Sequence, residues 1–507
     1  MRVRWLVALV TVPLWGQSAF AQSGPPLSAI DWLNDPVPVI QPMPGVGDPP
    51  VSAGVVTPVV DVSPLGEPSA DSVGLLPGSV TGLPASLWQN SESSRILALM
   101  KAQKLTDLPA MQSLFYTLLL AEAEAPSHLS ADGAFLSARL DHLLALGAVE
   151  PAQALVLRAG PSSKTLFARW FDATLLTGDE DTACAELVRT PGLSPSEAAL
   201  IFCTARQGDW RAAALMLNTA LVLRSLPQQE AALLQHFLDA EAFEGEALPL
   251  PPVRPSPLVF RLWEALGEPL PTASLPRAFA VADLRGIVGW KARIEAAERL
   301  AQTAALPENR LLGIYSEREP AASGGIWDRV EAVQRLDRAL SKKDAKAVAR
   351  TLPNAWRAMQ AARLEVPFAR LFAPQLTQLA LTGDAAALTR DIALLSPDYE
   401  LVAQRNAYGD FPETLALGKP ASRLSRTPME QAIVKGFNAT TLPDDVTAAL
   451  SLGRVGEVIL GAMQLYENAM SGETKDLATA LATFRRLGLE DTARQAALQA
   501  LLLTRAP

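Results

Sequence analysis

The chain has 507 residues, 49% of them hydrophobic and 19% charged, with a formal net charge of -9 at pH 7, a balance that describes a globular protein with ample core and excludes a strongly charged, disordered one. Three His (His128, His142, His236) and two Cys (Cys184, Cys203) are too few for a zinc site of the usual Cys/His composition or an iron–sulfur centre with four Cys ligands, so no metal or other cofactor is expected. A pI near 5.2 argues against a nucleic-acid binder held by phosphate contacts.

The chain opens with Arg2 and Arg4, an apolar run, and the small-x-small sequence Ala19-Phe20-Ala21 before Gln22. That is the pattern of a secretory signal peptide over 1–21. The apolar run of about eleven residues falls short of the roughly 20 that span a bilayer, so no transmembrane anchor is expected after cleavage. A periplasmic location is the simplest reading.

From Ser23 to Asn90 there are thirteen prolines, six acidic residues and no Lys or Arg. Proline at that density excludes helix and interrupts sheet pairing, so 22–90 reads as an extended, disordered, acidic tether. Deleting 23–80 is expected to leave the body folded. Two apolar clusters interrupt the tether, Ala29–Leu33 with Trp32 and Leu83–Trp88 with Trp88. Each can dock on the protein's own body or serve as a linear motif for a partner, and the sequence does not separate the two.

After residue 90 the chain turns to Ala/Leu-rich stretches with helical spacing. Gly147, Gly178, Gly208, Gly383 and Gly488 each follow an apolar stretch, and Ala returns four or five positions later. Glycine closes one helix in a left-handed conformation, and alanine lets the next pack closely against it. Gly147, Gly178 and Gly208 lie 31 and 30 residues apart, and Gly453 and Gly488 lie 35 apart, periods suited to stacked helix hairpins. Ser194-Pro195-Ser196-Glu197 and Thr427-Pro428-Met429-Glu430 read as capping boxes. The fold expected is therefore all-α, a helix-hairpin repeat array (α-solenoid) preceded by the tether. Block 1 covers 91–244 and block 2 covers 277–507. Between them, 245–276 carries eight prolines and reads as a crossing segment. Trp170, Trp210, Trp263 and Trp356 sit at helical spacing and are expected in the core.

An irregular loop is expected at 306–326. Trp290, Arg310, Tyr315, Arg318 and Trp327 in and around it are the candidate partner-binding residues, because long loops with aromatics and both charge signs are often functional. Cys184 and Cys203 lie symmetrically about the turn Pro191-Gly192-Leu193-Ser194. Residues so placed on antiparallel helices face one another, and export supplies an oxidising setting, so a disulfide is expected.

No catalytic residues are identified. There is no Gly-x-Ser-x-Gly, and Ser162-Ser163-Lys164 lacks the Ser-x-x-Lys spacing. Gly160–Thr165 lacks the glycine before lysine that a phosphate loop needs. His142 and His236 lie on predicted helices without a matching carboxylate or Cys.

The turn glycines and alanines resemble those of tetratricopeptide-like solenoids over about two-thirds of 91–507, although that family's early Trp-Leu-Gly and Tyr positions are mostly absent. The Trp290 region and the Tyr315–Trp327 stretch resemble a group of exported alphaproteobacterial proteins, some of whose members carry an antifreeze glycopeptide label. The resemblance implies compartment and fold; the chain has no Ala-Ala-Thr tandem or Thr-x-Thr ladder to match that label. The expected function is a non-enzymatic periplasmic scaffold or adaptor that binds a protein or peptide of the envelope through its helical surface. The alternative is a cell-envelope enzyme, or enzyme subunit, acting on peptidoglycan.

Overall fold

The described structure is helical. The computed structural model describes residues 69–131, 133–405 and 409–503, and among these it contains 25 α-helices and no strand. Two isolated parallel bridges, Leu76 with Ala121 and Glu92 with Ser127, are the β pairing present there. The expected signal segment at 1–21 and the cluster containing Trp32 lie outside the described residues.

Block 1 follows the expected hairpins: Ala134–Leu146 with Val149–Ala159, Lys164–Thr177 with Glu180–Arg189, and Glu197–Arg206 with Trp210–Leu223. Gly147 shows why the turn requires glycine: its φ is +86°, and a Cβ there would lie 2.6 Å from Leu300 Cδ2. Position 147 is thus both a left-handed helix end and a close contact with block 2. Thr427 and Glu430 form the expected capping box. The other expected box does not form: Ser196, not Ser194, caps the helix by accepting from Ala199 N, and alanine at the third helical position has no side chain to return the bond. Gly383 also departs from expectation. The preceding helix stops at Leu376, and Gly383 begins the helix Gly383–Leu394.

The array folds back on itself in two places. Helix Pro257–Ala265, inside the crossing segment, packs on Lys164–Thr177, where Arg261 pairs at 3.0 Å with the buried Glu180. Farther along, the Thr303 hydroxyl donates to the Leu146 carbonyl at 2.7 Å, which ties block 2 to the first hairpin. The second return joins the start of the described chain to its end. Helix Pro109–Leu120 packs on Glu490–Leu502, and Ala110 N donates to Gln499 Oε1 at 2.8 Å. Trp88 lies against Gly456, where a Cβ would come within 2.3 Å of its ring, and Gly456 N donates to the Leu87 carbonyl at 3.0 Å.

Residues 69–90 are therefore part of the body, which corrects the expected tether boundary at 90. Leu87 and Trp88 are buried, so of the two readings of this cluster, docking on the protein's own helices is the one observed. Asp71 is fully buried; its carboxylate accepts from Gly133 N at 2.8 Å and Leu136 N at 2.6 Å, at the start of Ala134–Leu146. The buried Arg139 on that helix donates to the carbonyls of Leu119, Val73 and Ala121 at 2.6–3.0 Å. Burial lowers its pKa to about 10, and Asp71 opposes that shift. The segment carries no cation of its own, but the body supplies one.

Cys184 and Cys203 stand at disulfide distance on helices Glu180–Arg189 and Glu197–Arg206, with Cα atoms 4.7 Å apart and both side chains buried. Trp170, Trp263 and Trp356 are buried as expected, whereas Trp210 is 49% exposed. Trp210 starts its helix and meets Phe237 at a tilt, ring centres 5.6 Å apart. Among the described residues, no helix is long and apolar enough to cross a membrane.

Candidate functional site

Helix Trp290–Ala301 has two working faces, and the sequence pointed to one of them. On that face Glu298 is buried. The Tyr315 hydroxyl donates to Glu298 Oε1 at 2.6 Å, and Arg329 holds both carboxylate oxygens at 2.7 Å. Gln334 Nε2 donates to the carbonyls of Tyr315 and Arg318 at 2.7 Å each. Burial and the Glu298 charge beside it raise the Tyr315 pKa well above 10. A buried ion pair with its polar atoms bonded in this way fixes geometry.

Of the five expected partner-binding residues one is turned inward, Trp290 and Trp327 are half-buried, and the two arginines are exposed. Tyr315 is buried. Trp290 is half-buried; its Nε1 donates to the Ile314 carbonyl at 2.8 Å, and its ring centre lies 5.1 Å from that of Trp327. Arg318 is exposed and contributes its carbonyl to the packing. Arg310 points away from this group and pairs with Glu150 of block 1 at 3.2 Å. The expected loop 306–326 is also shorter, because Glu308–Tyr315 is helical. Its charges lie on the outer side, while Leu311, Ile314 and Tyr315 form an inner stripe.

The opposite face, carrying Ala292, Ala296 and Arg299, forms one wall of a cleft of about 710 Å3. Pro269, Leu270 and Pro271 of the crossing segment form another wall, Phe260 contributes an apolar side chain, and Ile287, 79% exposed, stands among the lining residues. Most polar groups of the cleft are tied within the fold, whereas Glu295, half-exposed in the lining, pairs with Lys291 on its own helix. Arg285 Nη2 donates to Glu264 Oε1 at 2.5 Å, and Arg261 Nη1 donates to Glu264 Oε2 at 2.5 Å. Arg299 donates to the carbonyls of Thr272 and Leu275, and the Thr272 hydroxyl donates to Asp283. Burial raises the Asp283 pKa, and the Thr272 hydrogen bond opposes the shift.

Pinned charges around apolar walls suit the recognition of an extended or apolar segment. The lining contains no Ser, Cys, His or Lys, so the usual nucleophile–base pairs are not assembled in it. Among the described residues, no group of three or more His, Cys, Asp and Glu side chains is placed to hold a metal ion. Sequence reasoning missed Thr272, Asp283, Arg285 and Arg299 as a group. The available signal was the pair of prolines at 269 and 271 followed by Gly286 and Gly289, which keep two stretches of backbone irregular on either side of a short helix.

Two of the three histidines have packing roles. His142 meets Phe115 edge-on at 5.4 Å, and His236 lies 4.6 Å from Phe243 with Nδ1 2.9 Å from the Ala232 carbonyl.

Comparison of the chain with protein-family models, curated proteins and solved structures returns no match.

Proposed function

We propose that this protein is a non-enzymatic scaffold or adaptor of the periplasm that holds a protein or peptide of the cell envelope in the cleft between helix Trp290–Ala301 and the crossing segment. The observation that supports this reading is the cleft itself: about 710 Å3, walled by Leu270, Pro271, Ile287 and Val288, with charges already paired within the fold. Such a surface gains by burying an apolar partner segment and loses little by desolvating charges that have partners. Export belongs to the same reading, resting on the Arg2–Ala21 pattern and on the resemblance to exported alphaproteobacterial proteins. Mild crosslinking of periplasm followed by pull-down tests it. One stoichiometric partner, lost on Ile287→Glu with Leu270→Glu, is expected; equal capture by both forms would count against the cleft.

A second reading, a peptidoglycan-directed enzyme, draws on one feature: two carboxylates, Asp283 and Glu264, line the same cleft, and burial raises the Asp283 pKa. A pair of carboxylates is the apparatus of glycoside hydrolysis. Here Glu264 is held by two arginines, which favours a structural role. Release of soluble fragments from purified sacculi, abolished by Asp283→Asn, would restore the enzyme reading.

A further inference from the structure

Helix Gly383–Leu394 packs on Glu365–Leu376 before it and on Tyr399–Arg405 after it. A cavity of about 570 Å3 opens among them at its N-terminal end, and it shares no residue with the cleft described above. Thr382 stands at the N-cap in extended backbone, but its side chain makes no capping bond. Gly383 follows with a φ of +60°, and a Cβ built on it would meet nothing within 4 Å. Among the described residues the N–H groups of Gly383, Asp384 and Ala385 have no acceptor. Thr382, Gly383 and Ala386 line the cavity, so the donors of the first turn are free at its edge. A left-handed residue leading into a helix turns successive N–H groups toward one point, a concavity that takes anions, and the dipole of the 12-residue helix adds to it.

A buried hydroxyl marks the same place. Thr389 is 8% exposed, lines the cavity, and its Oγ1 is buried with no hydrogen-bond partner, an arrangement that costs free energy until a ligand supplies the bond. The lining contains no Asp or Glu, and its charged residues are Arg390 and Arg405. Asp384, the acid of the first turn, is exposed and outside the lining. Arg390 is fixed by Asp391 at 3.1 Å and Asp410 at 3.0 Å. Arg405 is exposed and forms no ion pair among the described residues. Leu379, Leu381 and Val402 give the cavity an apolar side.

We propose that this cavity binds an organic phosphate, with the phosphoryl oxygens on the Gly383–Ala385 N–H groups, the Thr389 hydroxyl and the Arg405 guanidinium, and an apolar body against Leu379, Leu381 and Val402. The donors come from a backbone turn, from the body of one helix and from the end of another, which suits the three oxygens of a phosphoryl group better than the two coplanar oxygens of a carboxylate. A cavity of this size takes a small organic molecule rather than a bare ion.

Isothermal titration of the full chain with hexyl phosphate, hexanoate and inorganic phosphate, at constant ionic strength, tests the site. Hexyl phosphate should bind with a Kd below about 1 mM, and the other two at least about ten-fold more weakly. Arg405→Ala, at an exposed position, should weaken hexyl phosphate about ten-fold. Thr389→Val keeps the shape and removes the hydroxyl; it should weaken binding several-fold without lowering the melting midpoint of the ligand-free protein. No binding of hexyl phosphate at about 10 mM, equal affinity for either comparison anion, or full affinity in both variants would each overturn the proposal.

Discussion

Asp71→Ala is the sharpest perturbation of the body, because it attacks a junction that sequence composition assigns to a dispensable tether. The carboxylate accepts from two backbone N–H groups at the start of helix Ala134–Leu146 at 2.6–2.8 Å and is fully buried. A hydrogen bond to a charged acceptor contributes about 1.5–3 kcal/mol, and an unsatisfied buried donor costs a comparable amount. Arg139 would stay buried with less opposing charge, so the expected loss is about 3–5 kcal/mol. Unfolding entropy of about 2.1 cal/mol/K per residue over roughly 430 described residues gives about 0.9 kcal/mol/K, and hence a fall of about 3–6 °C in the melting midpoint. A chain starting at residue 69 should melt like the full chain. One starting at residue 81 should show at least the Asp71→Ala loss. Equal midpoints, followed by circular dichroism, for chains starting at 69 and at 81 would refute the reasoning.

The Cys184→Ala, Cys203→Ala variant should lose about 3 kcal/mol, the chain-entropy value for a loop of this length, and alkylation of unfolded, unreduced protein should leave both wild-type cysteines unmodified in mass spectrometry. Gly456→Ala sets a Cβ within 2.3 Å of the Trp88 ring and 2.8 Å of the Leu87 carbonyl; a loss of about 2 kcal/mol or more in urea unfolding is expected, with red-shifted tryptophan emission. Burial pushes the Asp172 carboxyl up to about 7, with Arg169 opposing the shift and Asp141 adding to it. The folded state therefore holds that proton more tightly than the unfolded chain, and the group's contribution is fullest below about pH 4 and lost as pH rises toward 7. Asp172→Asn should stabilise the protein by about 2–4 kcal/mol at pH 8 and by little at pH 4, measured by urea titration at both values.

Features set by local sequence were legible. The helix-closing roles of Gly147 and Gly178 follow from left-handed backbone. The placement of Cys184 and Cys203 follows from symmetry about one turn, and Thr427 with Glu430 is a local cap. Contacts that close the array were not legible, because Trp88 and Gly456 carry no mark of each other in sequence, and the glycine matters only as room for an indole. Asp71 resembles the other acids of its segment until Arg139 and two backbone N–H groups are placed around it. The charged stretch from Glu308 reads as a loop because its apolar residues, Leu311, Ile314 and Tyr315, form a stripe only one helical turn long. The cleft was hidden for a related reason: its polar residues come from three short helices between 257 and 301 and from the irregular segments between them, which hold Thr272 and Arg285, with no recognisable spacing.

Site-specific photocrosslinking from the cleft tests the functional reading most directly. With a photoreactive residue at Ile287, 79% exposed in the cleft lining, exported protein should capture one partner in stoichiometric yield. The same probe at Leu452, 59% exposed and outside the cleft, should capture none of it. Equal capture from both positions, or none from Ile287 in cells that export the protein, would contradict a cleft built to hold a partner.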